Sequence, residues 1–320
     1  MPHSWYAEVL ERLTSLAHTE ARSLHYCVQS NLVKITDGHL AVFRKYGVRL
    51  GTSLDGPPAL NDMTRGETER LLENIARCAR ADVPVCGVIA VITRSNCDRI
   101  GQILEYFNDV GILSVALNPG HRSGRGQVGI EALTADELFG AYRQSLEYIV
   151  RTSGKRVIDR VTLEKLDRFC NPISSEEYKS THICSFPFCG YGFRILAFDP
   201  SGQMYPCGPA VGRDQLWLGS LADFDYKSYT EKILASLRRT GSTLERCKGC
   251  IGRRVCDFGC PSYAYEDPES VENGCEAARK LVRFLETFDR GALHDLVIQT
   301  RGVSHERRSI HTERDHSRLL

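Results

Sequence analysis

Eight of the thirteen cysteines lie close together in the second half of the chain, and their spacing favours metal–thiolate chemistry. They are Cys184, Cys189, Cys207, Cys247, Cys250, Cys256, Cys260 and Cys275, a span of 92 positions. The pattern C-x2-C-x5-C-x3-C runs from Cys247 to Cys260. A four-iron cluster takes one thiolate per iron, and a C-x2-C spacing lets two thiolates reach adjacent irons. Eight cysteines therefore supply two clusters. Tetrahedral zinc sites also use C-x2-C pairs, so zinc is the alternative.

The other five cysteines stand singly among apolar residues, at Cys27, Cys78, Cys86, Cys97 and Cys170. We interpret Cys78 and Cys86 as buried apolar side chains, since isolated cysteines often pack as small hydrophobes. The chain opens with Met-Pro-His-Ser-Trp and lacks the basic segment and apolar stretch of a signal peptide. We therefore expect a cytoplasmic location, where reducing conditions favour metal binding over disulfides.

The composition argues against two broad classes of partner. The formal net charge is +1 over 320 residues, without the basic footprint that phosphate binding needs, so no nucleic-acid partner is expected. No run of 18 apolar residues occurs, so no membrane span is predicted. A hydrophobic content of 42% at this length allows one large domain or two modest ones with their own cores.

Helical and strand patterns alternate through the first half of the chain. Strands are predicted at 24–29, 48–54, 85–93 and 112–117. Helices are predicted at 5–16, behind a Ser4 cap, and at 36–46, 67–81, 98–109, 136–151 and 159–169. Such alternation with short connections predicts a parallel sheet or an α/β barrel. A sheet of only four strands is small for an independently stable domain.

A domain boundary is predicted at about 173–181, where Asn171-Pro172 and a Ser-Ser-Glu-Glu run interrupt the apolar pattern. The predicted organisation is an α/β domain at 1–172, a cysteine-rich domain at 181–292 and a disordered tail at 301–320. Within the cysteine-rich domain, Gly202 fits a tight turn between short strands at 193–198 and 203–205. That hairpin would hold Cys189 near Cys207.

The ordered cysteine pattern resembles the SPASM domain of radical S-adenosylmethionine enzymes. That domain reads C-x(9–15)-G-x4-C, then C-x2-C-x5-C-x3-C, then a final C, and every spacing from Cys189 to Cys275 matches. The resemblance implies two auxiliary 4Fe–4S clusters. One would be held by Cys184, Cys189, Cys207 and Cys260, and the other by Cys247, Cys250, Cys256 and Cys275. Cys184 lies outside the seven-cysteine motif.

Two upstream segments resemble the barrel of the same enzymes, in the branch of the anaerobic sulfatase maturases. The segment 25–31 (HYCVQSN) is similar to its third-strand region, and the segment 52–57 (TSLDGP) to its fourth-strand S-x-D-G motif. In that family these strand ends line the S-adenosylmethionine and substrate pocket. The resemblance makes Gln29, Asn31, Ser53 and Asp55 candidate cofactor contacts, with Arg65 as a further one. An ordinary strand-ending Asp-Gly-Pro turn is the alternative.

The chain departs from that family in two ways. The C-x3-C-x2-C motif, which binds the catalytic cluster after the first barrel strand, occurs nowhere in the sequence, and neither does the Gly-Gly-Glu segment after the second strand. We therefore expect a partial barrel that lacks its first two strands and exposes an unpaired strand edge. Cys207 is followed by Gly208, where sulfatase maturases carry an aspartate base. Crosslinking of a small ribosomal peptide is therefore a better expectation than formylglycine formation.

The expected fold class is α/β, a partial (β/α) radical S-adenosylmethionine-type barrel of about four parallel strands followed by a small SPASM domain. Three hypotheses for function follow. The chain belongs to a peptide or protein maturase and works with a partner chain that supplies the missing strands, or is a truncated product. Alternatively, it is a non-catalytic iron–sulfur module that binds a peptide or relays electrons. The third hypothesis is a zinc-stapled structural protein. No catalytic residue is assigned.

Overall fold

The computed structural model describes residues 1–122, 131–171, 190–256, 260, 262–263 and 267–306, with 236–244, 246 and 301–306 described by backbone only. The chain divides into two compact units. Unit 1 comprises Met1–Pro119, Ala141–Leu163 and the segment from His294, and unit 2 comprises Gly120–Gly140 and Glu164–Leu293. Cys184, Cys189, most of the predicted boundary segment and the predicted tail beyond Glu306 lie outside the described residues.

Unit 1 is built on a five-stranded parallel sheet whose strands lie side by side in chain order. The strands are β1 (Cys27–Gln29), β2 (Arg49–Ser53), β3 (Val85–Ile92), β4 (Ser114–Pro119) and β5 (Ile158–Asp159). Cys27 lies opposite Arg49, and Val88 lies opposite Val115. A sequential parallel order is typical of (β/α) barrels, whereas the order reverses in a doubly wound sheet. The predicted α/β class with parallel strands is confirmed.

Helices precede, connect and follow these strands. They are α1 (His3–Thr19), α2 (Asp37–Lys45), α3 (Pro58–Thr64), α4 (Thr68–Arg80), α5 (Ile100–Asp109), α6 (Ala135–Arg151) and α7 (Arg160–Cys170). The Thr36 hydroxyl accepts a hydrogen bond from the His39 N–H and so begins α2. Leu71, Ile75 and Cys78 are buried at helical spacing on α4, which gives this helix one apolar face.

The structure differs from the sequence predictions in two details of unit 1. Ile158–Asp159 form a fifth strand, and α7 begins at Arg160 instead of at 159. Two residues are too few to produce a strand periodicity, so this element left no pattern in the sequence. The predicted Ser4 cap is wrong, because α1 begins at His3 after Pro2 and no side chain caps it.

The core of unit 1 lies around the central strand β3. Val85, Val88, Ala90 and Ile92 of this strand are buried, and fully buried side chains from neighbouring elements surround them. Those include Leu50, Leu54, Ile100, Ile103, Leu104, Phe107 and Leu117. This burial holds the carboxyl ends of β2, β3 and β4 in fixed relation to one another.

Unit 2 contains a small antiparallel sheet of β6 (Ala197–Phe198), β7 (Gln203–Tyr205) and β8 (Gly219–Ser220). The predicted hairpin about Gly202 is present: this glycine has a φ of +83°, which favours glycine, and its N–H donates to the Asp199 carbonyl at 3.0 Å. The first strand is shorter than the predicted 193–198. Upstream of it, Tyr191 and Ile195 form an isolated bridge.

Two small apolar clusters pack in unit 2, one against each of two successive residues of β7. Met204 packs with Leu218 and Ile233, and Tyr205 packs with Ala210 and Leu216. Successive strand residues point to opposite faces, which explains the division.

The remaining helices are α8 (Tyr226–Arg246), α9 (Pro268–Leu285) and α10 (Arg290–Glu306), with short 3₁₀ helices at Gly208–Ala210, Asp214–Leu216 and Ile251–Arg254. The Asp267 carboxylate accepts a hydrogen bond from the Ser270 N–H at 3.2 Å and begins α9. Helix α10 continues to Glu306, inside the range 301–320 predicted as a tail. None of the helices in the described ranges has the length and apolar character needed to cross a membrane.

Candidate functional site

The carboxyl ends of β1 and β2 bring two of the predicted cofactor contacts together. Gln29 Nε2 donates to Ser53 Oγ at 3.3 Å, and the side chain of Gln29 is exposed while Ser53 is half-buried. Gly51 makes this possible, because a Cβ at that position would lie 2.1 Å from Gln29 Oε1. Asn31 is exposed, and its side-chain oxygen accepts from the Val33 N–H at 3.4 Å. These three side chains present hydrogen-bonding groups at the edge where barrel enzymes place their sites.

Asp55 has a different environment, since it is buried and its carboxylate is engaged within the chain. Oδ1 accepts from the Val91 N–H at 2.9 Å. Oδ2 accepts from the Thr64 hydroxyl at 2.9 Å and from Arg65 Nε at 2.8 Å. These bonds tie the loop after β2 to β3 and α3. Asp55 therefore has a structural role, and so does Arg65, the further contact suggested by the sequence.

The cysteines of the proposed second cluster lie on two adjoining segments of unit 2. Cys247, Cys250 and Cys256 flank the short helix Ile251–Arg254, and Cys275 lies on α9. The Cys250 N–H donates to the Cys247 carbonyl at 3.1 Å, and the Cys256 N–H donates to the Gly252 carbonyl at 2.9 Å. These two backbone hydrogen bonds form turns in the segment that carries the three cysteines.

Cys275 lies beside two of those thiols. Its pKa is raised first by a hydrogen bond with Cys256, then by burial, and further by the charges of Cys256 and Cys247, whereas Arg279 lowers it. Each of these thiols disfavours the ionisation of its neighbours. A positively charged metal centre would reverse that preference, because it stabilises the thiolate forms, so the thiols are a suitable donor set. The thiol of Cys275 on α9 therefore adjoins thiols of the segment 247–256.

Arg279 is a residue beside these cysteines that the sequence reasoning missed. Its Nη1 donates to Cys250 Sγ at 3.9 Å, and its Nε donates to Glu276 Oε2 at 2.8 Å. The sequence indicates this residue only by its spacing, because Arg279 follows Cys275 by four positions and so lies on the same face of one helix. That spacing alone does not reveal the contact with Cys250, which comes from a different segment.

Cys207 and Cys260, the described half of the proposed first cluster, both adjoin the turn at 262–263. Cys207 Sγ lies 3.1 Å from the Ser262 hydroxyl, and the Tyr263 N–H donates to the Cys260 carbonyl at 3.1 Å. Ser262 is fully buried, and its carbonyl accepts a hydrogen bond from Arg213. The two cysteines thus share one buried turn.

A hydrogen bond of Gly192 brings the chain close to the residue that precedes Cys207. The Gly192 N–H donates to the Pro206 carbonyl at 3.0 Å, next to Cys207. Gly192 has a φ of +72°, and a Cβ there would lie 1.9 Å from the Ile233 side chain. Only glycine fits this close approach to α8 without displacing the helix.

A second feature that sequence reasoning missed is an aromatic stack in unit 2. The rings of His121 and Tyr263 lie 3.8 Å apart at an angle of 17°, and the Arg213 guanidinium lies 5.5 Å from the Tyr263 ring. Burial lowers the pKa of His121, an effect that Asp267 opposes and Arg213 reinforces. The buried Nδ1 of His121 has no hydrogen-bond partner within the described ranges. Its position just after β4 was the available signal, since functional groups commonly follow parallel strands.

The ligand roles of the eight cysteines stay predictions. Among the residues that the structure describes, no group of three or more His, Cys, Asp or Glu side chains is arranged to hold a single metal ion. The contacts of these cysteines include those of Cys275 with Cys256, Cys250 with Arg279 and Cys207 with Ser262. Cysteine thiolates are the ligands that iron–sulfur clusters require.

Comparison with curated proteins finds relatives that are themselves described only as uncharacterized. A protein of Archaeoglobus fulgidus is 24% identical over 286 residues, covering 85% of this chain and 66% of the relative. A protein of Synechocystis sp. is 30% identical over 247 residues, covering 72% and 58%. The chain thus spans less than two thirds of the length of each of these relatives. No family model matches the sequence.

Among solved structures, the fold is similar to that of anSMEcpe, an anaerobic sulfatase-maturing enzyme of the radical S-adenosylmethionine/SPASM type. The form with bound AdoMet aligns with a TM-score of 0.64 at 18% identity, covering 90% of this chain and 80% of that one. The form with AdoMet and the Cp18Cys peptide aligns at 0.62 and 18%, covering 87% and 81%. The chain therefore has a radical S-adenosylmethionine-like α/β fold, as the sequence predicted.

Proposed function

We propose that this chain is an iron–sulfur protein of the radical S-adenosylmethionine/SPASM type, from a lineage that modifies ribosomal peptides or proteins. It would hold two auxiliary 4Fe–4S clusters in unit 2, the first on Cys184, Cys189, Cys207 and Cys260. The second would be on Cys247, Cys250, Cys256 and Cys275. The observation that carries the proposal is that the second set lies on two segments, around the short helix Ile251–Arg254 and on α9, with the Cys275 thiol hydrogen-bonded to that of Cys256.

The positions of the cysteines in unit 2 support a crosslinking role for these clusters. Cys207 precedes a short 3₁₀ helix, Cys250 and Cys256 flank another, and Cys275 lies within α9. Binding thiolates from separate segments would couple metal binding to folding. For the first set, the hydrogen bond from the Gly192 N–H to the Pro206 carbonyl supports the proposal. It holds Gly192, three residues after Cys189, close to the residue that precedes Cys207.

S-adenosylmethionine is the second proposed cofactor of the lineage. Gln29, Asn31 and Ser53 offer exposed or half-buried amide and hydroxyl groups at the strand ends, suited to the amino-acid and ribose parts of such a molecule. Asp55 would act through its hydrogen bonds to Val91 and Arg65, which fix the chain just after Ser53 at the end of β2. AdoMet is bound in the similar anSMEcpe structures, which supports this assignment by fold alone.

A peptide or protein is the proposed substrate class. The similar structures include anSMEcpe with Cp18Cys and Kp18Cys peptides. Gly208 after Cys207 removes the aspartate base expected for formylglycine formation, so crosslinking of the peptide is the reaction that we favour. A partner chain that supplies the C-x3-C-x2-C motif would complete the site for radical chemistry.

A non-catalytic iron–sulfur module is the second candidate. It is favoured by one observation, the absence of C-x3-C-x2-C from all 320 residues. Such a module would bind a peptide or relay electrons through its two clusters. Both candidates require the clusters, and they differ in whether S-adenosylmethionine binds.

The test of the proposal is metal and sulfide analysis of anaerobically reconstituted protein. Eight thiolates in two sets predict about eight irons and about eight acid-labile sulfides per chain. The Cys247→Ala variant should hold about half of that iron, because one of the two clusters loses a ligand. Stoichiometric zinc without labile sulfide would overturn the proposal in favour of the zinc-stapled protein. Tight S-adenosylmethionine binding by calorimetry would favour the maturase over the electron-relay module.

A further inference from the structure

The side chain of Arg279 reaches from α9 to the neighbouring cysteine-bearing segment. Its Nη1 donates to Cys250 Sγ at 3.9 Å. Cys275 lies four residues earlier on the same helix, so one helical turn separates a predicted cluster ligand from the guanidinium. Arg279 is therefore next to two of the four cysteines that we propose for the second cluster.

Packing and an ion pair hold this arginine in place. Nε donates to Glu276 Oε2 at 2.8 Å, which orients the guanidinium along the helix. On the other side, a Cβ at Gly252 would lie 3.4 Å from Arg279 Cγ and 3.5 Å from the Ala278 Cβ. The glycine thus lets the short helix 251–254 lie directly on the arginine stem. The side chain is 38% exposed, so its charge is only partly screened by water.

A fixed positive charge beside a cluster ligand has a predictable electrostatic effect. One-electron reduction adds a negative charge to a thiolate-bound cluster, and a nearby cation stabilises that added charge. Hydrogen bonds to the ligand sulfurs act in the same direction, and both are recognised determinants of cluster potential. Arg279 combines a donor aimed at Cys250 with a positive charge that the Glu276 carboxylate partly offsets.

We propose that Arg279 is a positioning residue that raises the reduction potential of the cluster held by Cys247, Cys250, Cys256 and Cys275. The inference rests on the proposed function, since it requires that the cluster is present.

The test is a reductive titration of the reconstituted full chain, followed by electron paramagnetic resonance. Arg279→Met keeps the apolar stem against Gly252 and removes the charge and the donor. It should move one of the two midpoint potentials to a more negative value and leave the other unchanged. Arg283→Met is the matched control, because it makes the same charge change one turn further along α9, at an exposed position. It should move neither potential by a comparable amount.

The possible results separate the two proposals. Full iron and sulfide in Arg279→Met with both potentials unchanged would overturn the role of Arg279 and leave the clusters standing. A native chain without labile sulfide would overturn both. If Arg279→Met fails to load iron, Arg279→Gln keeps an N–H donor and removes only the charge. A potential equal to that of the native protein in this variant would also refute the inference.

Discussion

Two carboxylates at strand ends of unit 1 extend the hydrogen bonding of the sheet. Asp55, after β2, accepts from the Val91 N–H of β3, and Asp159, at the end of β5, accepts from the Leu117 N–H of β4 at 3.1 Å. Burial raises the pKa of Asp159, although its hydrogen bonds partly offset this. At the residue scale, these acids fix the geometry of the strand ends, and Asp55 does so two residues after Ser53, the last residue of β2.

We expect Asp55→Asn to destabilise the protein by about 2 kcal/mol, because charge-assisted hydrogen bonds from Thr64 and Arg65 are lost from a buried site. Urea denaturation measures the change. Asp37→Asn is the matched control, since the Asp37 side chain is 89% exposed and its ion pair with Arg77 lies at the surface. That change should cost less than about 1 kcal/mol. Equal losses in the two variants would contradict a structural role for Asp55.

His121 should make stability depend on pH. Its pKa in the folded state lies below the ordinary 6.5, chiefly because of burial, so the unfolded chain takes up the proton first as the pH falls. Its contribution is therefore intact above about pH 6.5 and is lost as the pH falls below that value. His121→Phe keeps a ring against Tyr263 and should lose less stability between pH 8 and pH 5.5 than the native chain in parallel denaturation series. Identical pH profiles would show that folding does not change the pKa of His121.

At the scale of elements, β1 and α1 form the thinly covered end of unit 1. β1 pairs with β2 alone among the described residues, and Cys27 and Gln29 are exposed. Leu10 is the one buried residue of α1, whereas Leu13 and Leu16 are 40% and 58% exposed. An open parallel edge beside exposed apolar side chains favours association with a further strand. This arrangement is consistent with the expected strand edge and with the proposed partner chain.

The element that carries Cys250 should depend on metal for its order. Cys250→Ala is expected to halve the iron content and to make unit 2 sensitive to limited proteolysis, because the clusters would tie together separate segments of the chain. Cys78→Ala is the control. Cys78 is fully buried on α4, where burial raises its pKa to about 11, and its loss should cost about 1 kcal/mol of stability without loss of iron. Equal loss of iron in both variants would refute the ligand assignment.

At the scale of the whole molecule, the chain carries candidate contacts for S-adenosylmethionine but no motif for the cluster that cleaves it. We therefore expect the purified, cluster-loaded chain with dithionite to form no 5′-deoxyadenosine above a cluster-free blank, as measured by liquid chromatography. Reductive cleavage needs an iron without a protein ligand, whereas eight cysteines in two sets of four would saturate both clusters. Turnover by the single chain would mean that a different set of cysteines binds the reducing cluster.

The matched experiment adds a second polypeptide that carries C-x3-C-x2-C on a strand–loop–helix segment. Formation of 5′-deoxyadenosine only in that mixture would support a maturase assembled from two chains. Cluster reduction without product in both samples would favour the electron-relay module.

The sequence by itself determined the parallel α/β class, because the periodicities of β3 and α4 and the Asp-Gly turn after β2 are local properties of the chain. The hairpin about Gly202 follows from local turn chemistry in the same way. The cysteine spacing likewise indicated thiolate chemistry before any contact was known.

Only the tertiary structure decided the features that depend on residues far apart in the chain. The two-residue strand β5 exists because β4 lies beside it, and the buried role of Asp55 depends on Val91, which is 36 positions away. Arg279 meets Cys250 across 29 positions, and Tyr263 stacks on a histidine that precedes it by 142. Such contacts leave no periodicity or spacing in the sequence, because packing and burial select them after the local elements have formed.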